Sequence, residues 1–232
     1  MIKNVCNNCN INYILGRIRD IINNNFINPQ DILIHDYLIA AHDLFLTWAG
    51  RFQPSAINNI TQNQLQNMLS DFILEANNGS WNNMQRTGMA VAQNPNLRNV
   101  LQDLVNYNIN NGLPNINDVI RRLNNICNPS LRTHVNGMSV FLATAILFAN
   151  DNRNFMVIDS PVRMCFGLNN NISQIAQYNN IIMESQRLGR LFNLDLWYVN
   201  KAYGICQNNG NIKIWHLGHR FPAFGNSHNV PL

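Results

Sequence analysis

Apolar residues return every three or four positions along most of this chain, and that spacing predicts helices. From Ile11 to Phe26 they fall at Ile14, Leu15, Ile18, Ile21 and Ile22, one helical face that Asn28-Pro29 ends. Gln30 to Trp48 is the strongest helix, with Ile32, Leu33, Leu38, Ile39, Leu44 and Phe45 apolar. A loop with Pro54 is expected over Gly50–Ile60. Thr61-Gln62-Asn63-Gln64 then has the form of a capping box opening a helix over Gln62–Ala76. Asn77-Asn78-Gly79-Ser80 reads as a turn. Trp81–Gln93, Leu97–Ile109 and Asn117–Cys127 read as helices, parted by Asn94-Pro95 and stopped by Asn128-Pro129. Val140–Ala149 is continuously small and apolar. Ile172–Phe192 is amphipathic, and Asp195–Ile205 closes the helical part. Asn208-Asn209-Gly210-Asn211 before Ile212-Lys213-Ile214-Trp215 hints at a β-hairpin or extended strap, with Pro222–Leu232 loose. The expectation is one all-α domain over residues 1–232 with about ten helices and a C-terminal strap over 206–232.

The segment with most chemical content is Val135–Val162, VNGMSVFLATAILFANDNRNFMVIDSPV. A polar corner opens a buried helix, a polar loop follows, and an apolar run ends in one acid, Asp159. Asp159 is the only acid between Asp151 and Glu184. Ser160-Pro161 after it marks the next helix start, so Asp159 also fits an N-cap that accepts the amide of Val162 or Arg163.

This segment resembles the helix-hairpin-helix DNA glycosylase superfamily. Val135-Asn136-Gly137-Met138-Ser139 takes the place of its Leu-Pro-Gly-Val-Gly hairpin. Val140–Leu147 takes that of the following small-residue helix, and the interval from Gly137 to Asp159 matches that to the family's catalytic aspartate. Val199-Asn200-Lys201-Ala202-Tyr203 stands where related proteins carry a pattern like Asp-Lys-Ala-Leu-Trp. The resemblance covers residues 118–205. It implies a helix-hairpin-helix glycosylase-like domain that binds double-stranded DNA and hydrolyses the N-glycosidic bond of a flipped, damaged base. Asp159 would stabilise the sugar cation and orient water. Gly137, Met138 and Ser139 would hold a phosphate through backbone amides, with Arg132 and Arg163 beside it. Trp48, Arg51 and Phe52 would form a base pocket or wedge, although Trp48 continues an apolar helix and by that reads first as core. Phe141 fills the position of the lyase lysine, so the enzyme would be monofunctional. The four-cysteine run of the iron–sulfur relatives is missing, and no cofactor is implied.

The same residues also suit a hairpin module that binds DNA without chemistry, or a helical interaction protein with no DNA role. Composition leaves all three open. Net charge is +4, with thirteen arginines and three lysines, which permits phosphate contacts without a strong long-range field. Charged residues are 12%, and 45 asparagines fill the deficit as neutral surface residues. The N-terminus is too polar for a secretory signal core and no apolar run is long enough to span a membrane, so an intracellular setting is expected. The five cysteines, odd in number and unevenly spaced, then read as reduced thiols, with Cys127, Cys165 and Cys206 as small buried hydrophobes. Cys6-x2-Cys9 and His216-x2-His219 have zinc-ligand composition but lie at opposite ends of the chain. No metal is assigned.

Overall fold

The structure is a computed structural model that describes residues 9–79, 84–215 and 227–232. The first half holds α1 (Ile11–Ile22), α2 (Gln30–Leu46), α3 (Pro54–Asn58), α4 (Gln62–Gly79), α5 (Met84–Ala92) and α6 (Leu97–Val105). A small antiparallel pair follows, β1 (Ile109–Asn110) and β2 (Leu113–Pro114). Then come α7 (Ile116–Cys127), α8 (Val140–Asn150), α9 (Ser160–Cys165), α10 (Asn171–Ala176), α11 (Tyr178–Phe192) and α12 (Leu196–Gln207). Strand β3 (Asn211–Trp215) pairs antiparallel with β4 (Ser227–Pro231), Ile212 opposite Val230. The mostly helical class expected from periodicity is what the chain adopts.

The core is one apolar cluster drawn from Ile14 to Val230. Helix α8 runs through it with Leu142 to Ala149 all buried, which is why its sequence is apolar on every face. Helices α1 and α2 are joined at a corner by a buried ion pair, Arg17 to Asp31 at 2.8 Å. The other oxygen of Asp31 accepts the amides of Ile27 and Asn28. Those bonds and the Arg17 charge hold its carboxyl below the usual range, against the upward push of burial.

Several expected boundaries move, for local reasons. Pro54 does not sit in plain loop: it is the first residue of α3. The Thr61 box forms as expected, Thr61 Oγ1 accepting the Gln64 amide and Gln64 Oε1 accepting the Thr61 amide. Its helix continues through Asn77-Asn78-Gly79, where a turn was expected. Leu97–Ile109 stops as a helix at Val105, because Asn111 and Gly112 both take positive φ and turn Ile109–Pro114 into a hairpin. The long helix over Ile172–Phe192 is two helices. A capping box at Asn170 and Ser173 starts the first, and Gln177 separates them. Of the end expected to be loose, residues 222–226 lie outside the described residues, and Ser227–Pro231 is instead the partner strand of Asn211–Trp215.

The asparagines also have work beyond the surface. Among the described residues, all four non-glycine positions with positive φ are asparagine: Asn24, Asn111, Asn193 and Asn209. Asn10, Asn115 and Asn170 cap helices α1, α7 and α10 with their side-chain oxygens.

The cysteines depart most from expectation. Cys9 and Cys206 form a disulfide that ties the start of the described chain to the end of α12. Cys165 on α9 is also disulfide-bonded, and among the described residues Cys127 is the one free thiol, buried. The reading of Cys165 and Cys206 as reduced hydrophobes is therefore wrong. Odd number and uneven spacing say nothing about which side chains folding brings together across 197 residues.

Candidate functional site

Asp159 is positioned by a short buried segment. Phe155, Met156, Val157 and Ile158 are fully buried between α8 and α11. Two hydroxyls pin this segment. The Ile158 amide donates to Thr144 Oγ1 at 3.0 Å, and that hydroxyl in turn donates to the Val140 carbonyl of α8 at 2.8 Å. The Tyr178 hydroxyl of α11 donates to the Met156 carbonyl at 2.8 Å. Thr144 thus couples the first turns of α8 to the residue just before Asp159.

Asp159 then caps α9, its Oδ1 accepting the Val162 amide at 3.0 Å, as its place before Ser160-Pro161 predicts. The residue is 7% exposed. Helix α12 packs across α9 and brings buried Asn200 to the carboxylate, with Lys201 beside it. A cavity of about 370 Å³ opens here, its walls including Tyr37 of α2, Asp159, Asn200, Lys201 and Lys213 of β3. Lys201 Nζ lies 4.9 Å from the centre of the Trp197 ring. Lys213 is exposed, at the cavity mouth.

Burial raises the Asp159 carboxyl to about 6, opposed by the Val162 amide, the Lys201 charge and Asn200. Burial lowers Lys201 to about 8, opposed by the Asp159 charge. Capping alone would have kept the acid firmly ionised; desolvation outweighs it. Burial thus draws the pKa values of the two groups toward one another, with the ion pair still the favoured form at neutral pH.

The hairpin residues form a tight turn at the start of α8. The Met138 amide donates to the Val135 carbonyl at 3.0 Å, Gly137 has φ +83°, and Ser139 caps α8 by accepting the Leu142 amide. Met138 is buried, and its amide is spent inside the turn. Its expected place in a phosphate clamp is therefore corrected; Gly137 and Ser139 remain at the helix start. The connection from α7 takes residues 128–139, and its Val135 amide and Thr133 hydroxyl satisfy carbonyls at the α7 end. Arg132 and Arg163 are exposed on either side of this region in sequence. Phe141, the lyase-lysine position, is half-buried against the core.

The expected base pocket does not form around Trp48 and Phe52. Both are buried, stacked on each other and edge-on to Phe72. Only Arg51 is exposed, lying 4.7 Å over the Trp48 ring. An apolar helix followed by Trp and Phe carries its aromatics into the core, and none of the three lines the Asp159 cavity.

Lys201, on a late helix, does not stand out in the sequence as a nucleophile. The available signal was scarcity: of three lysines in the chain, two line this one cavity. Among the described residues no group of three His, Cys, Asp or Glu is placed to hold a metal. Cys9 is engaged in its disulfide, and Cys6, His216 and His219 lie outside the described residues. No described helix is long and apolar enough to cross a membrane. No family model, curated protein or solved structure matches the chain.

Proposed function

We propose that the Asp159 cavity is a hydrolytic site for an N-glycosidic bond and that double-stranded DNA presents the nucleotide. The observation that carries the reading is a buried carboxylate at a helix start sharing a one-ligand cavity with a lysine. With its pKa near 6 the acid is mainly ionised at neutral pH. It would lie beside the sugar, where cationic charge develops as the base departs. The bond from C1′ to the base breaks and the base keeps the electron pair. Water gives its hydroxyl to C1′, and its proton reaches the base through Asp159. The turn at Gly137 and the α8 start, coupled to Asp159 through Thr144, would hold a backbone phosphate. Gly137→Val should therefore weaken DNA binding with helix content unchanged, in anisotropy titrations at two salt concentrations. Unchanged affinity in the folded variant would remove the phosphate role.

One finding favours a second reading, a non-catalytic helical binding domain. The Cys9–Cys206 disulfide suits an oxidising setting better than a reducing one. This reading gives no salt-dependent DNA affinity and no base release.

A further inference from the structure

Lysine is rare in this chain, three residues against thirteen arginines, so where lysines fall is informative. Two of the three, Lys201 and Lys213, line the same cavity as Asp159. They come from different elements, α12 and β3, and differ in setting. Lys201 is partly buried, rests near the Trp197 ring and has the Asp159 carboxylate beside it. Lys213 is exposed at the mouth. Desolvation is what makes a lysine amine a nucleophile toward carbonyl carbon, and an acid next to it can take part in the proton transfers. An exposed ammonium at the entrance suits an anionic group on the incoming molecule. The cavity volume, near the lower end of the range for ligand sites, limits that molecule to a small one.

We propose that Lys201 is an imine-forming residue and that its cavity takes a small aldehyde bearing a phosphate, with Lys213 holding the phosphate. In the reaction the neutral Lys201 amine attacks the aldehyde carbon. A C–N bond forms, the carbonyl π pair moves to oxygen, and one proton passes from nitrogen to that oxygen. The protonated carboxyl of Asp159 then gives its proton to the departing hydroxyl, which leaves as water. The products are an iminium on Lys201 and a carboxylate on Asp159, opposite charges side by side. A lysine lowered to about 8 and an acid raised to about 6 leave part of the population in the required amine and acid forms at neutral pH. This step rests on reading the Asp159 cavity as a reaction site, but not on DNA as the polymer. A phosphate-bearing sugar aldehyde exists both as a free molecule and as an abasic site in DNA.

The test uses the full, oxidised chain. Pyridoxal 5′-phosphate, and pyridoxal as its phosphate-free counterpart, are added across a concentration series. Borohydride then reduces any imine to a stable secondary amine, and peptide mass spectrometry locates it. One equivalent on Lys201 is expected, with half-saturation about tenfold lower for the phosphorylated probe, the size of one charge-assisted contact. Lys213→Gln should abolish that preference while Lys201 is still labelled. Lys201→Arg keeps the charge and should abolish the label; circular dichroism checks its fold. Label spread over all amines, label on Lys213 instead, or no preference for the phosphorylated probe would overturn the proposal. A parallel arm offers an abasic duplex with borohydride. A cross-link at Lys201 supports imine chemistry on DNA. Labelling by the free probe without any cross-link keeps the imine proposal and counts against DNA as the substrate.

Discussion

Replacing Asp159 by Asn should stabilise the protein above pH 6, although a capping carboxylate is lost. Asparagine is as good a cap as aspartate, so the bond from the Val162 amide survives. What disappears is a charge that the fold holds away from water. Its pKa rises from 3.8 unfolded to about 6 folded. Between these values the folded protein keeps a proton that the unfolded chain has released. Stability from the neutral carboxyl is therefore present in full below pH 3.8 and is lost as pH rises through 6. At about 1.4 kcal/mol per unit, wild type loses about 3 kcal/mol across this window and the Asn variant does not. Lys201 stays protonated throughout it, since its own pKa is near 8, but it loses its carboxylate neighbour in the variant. That loss is already contained in the value of about 6, which the Lys201 charge helps to lower, so the gap at pH 7 is about 3 kcal/mol. Urea unfolding of both proteins at half-unit steps from about pH 4 to about pH 7 measures the difference. A gap that opens with rising pH is expected. Parallel curves, or a gap that closes, would refute the account of a desolvated carboxylate.

Four further outcomes are expected. Thr144→Val keeps the volume but leaves the buried Ile158 amide without its acceptor; chemical denaturation should show a loss of about 1–3 kcal/mol. Cys206→Ser opens the bridge to Cys9 and should cost about 2–4 kcal/mol; a non-reduced digest of wild type should yield the linked Cys9–Cys206 peptide. Arg17→Met strands the buried Asp31 carboxylate and should lower stability by about 3–5 kcal/mol, more than Asp31→Asn and Arg17→Met together. Gly189→Ala would bring a methyl within 2.7 Å of the Leu194 carbonyl oxygen; the α11–α12 junction must shift, and thermal melts should fall by several degrees.

Most helices are legible because they bury a stripe at helical spacing, α8 because it is apolar all round, and Thr61-Gln64 and Asp159-Pro161 mark helix starts through capping chemistry. The sequence carried Asp159 as a capped acid for the same local reason. What it hid was non-local. Burial of the carboxylate depends on α12 lying across α9. The amine beside it comes from a helix forty residues on, and Cys9 meets Cys206 only after both ends have packed. Trp48 is legible as core from the apolar helix it continues, whereas Phe52 beside a polar loop is buried by a partner on another helix, Phe72. The Asn111-Gly112 hairpin is legible in the sequence, although periodicity alone carries the preceding helix on to Ile109. Its signal was the turn dipeptide rather than periodicity.

The central claim is that Asp159 acts on a DNA nucleotide. Single-turnover base release from a panel of damaged duplexes, run with wild type and Asp159→Asn side by side, tests it most directly. Wild type should release a base from at least one duplex. The variant should bind that duplex as well or better, since a negative charge near phosphate is gone, and release none. Equal release by both proteins, or none by wild type from any duplex, would contradict the claim.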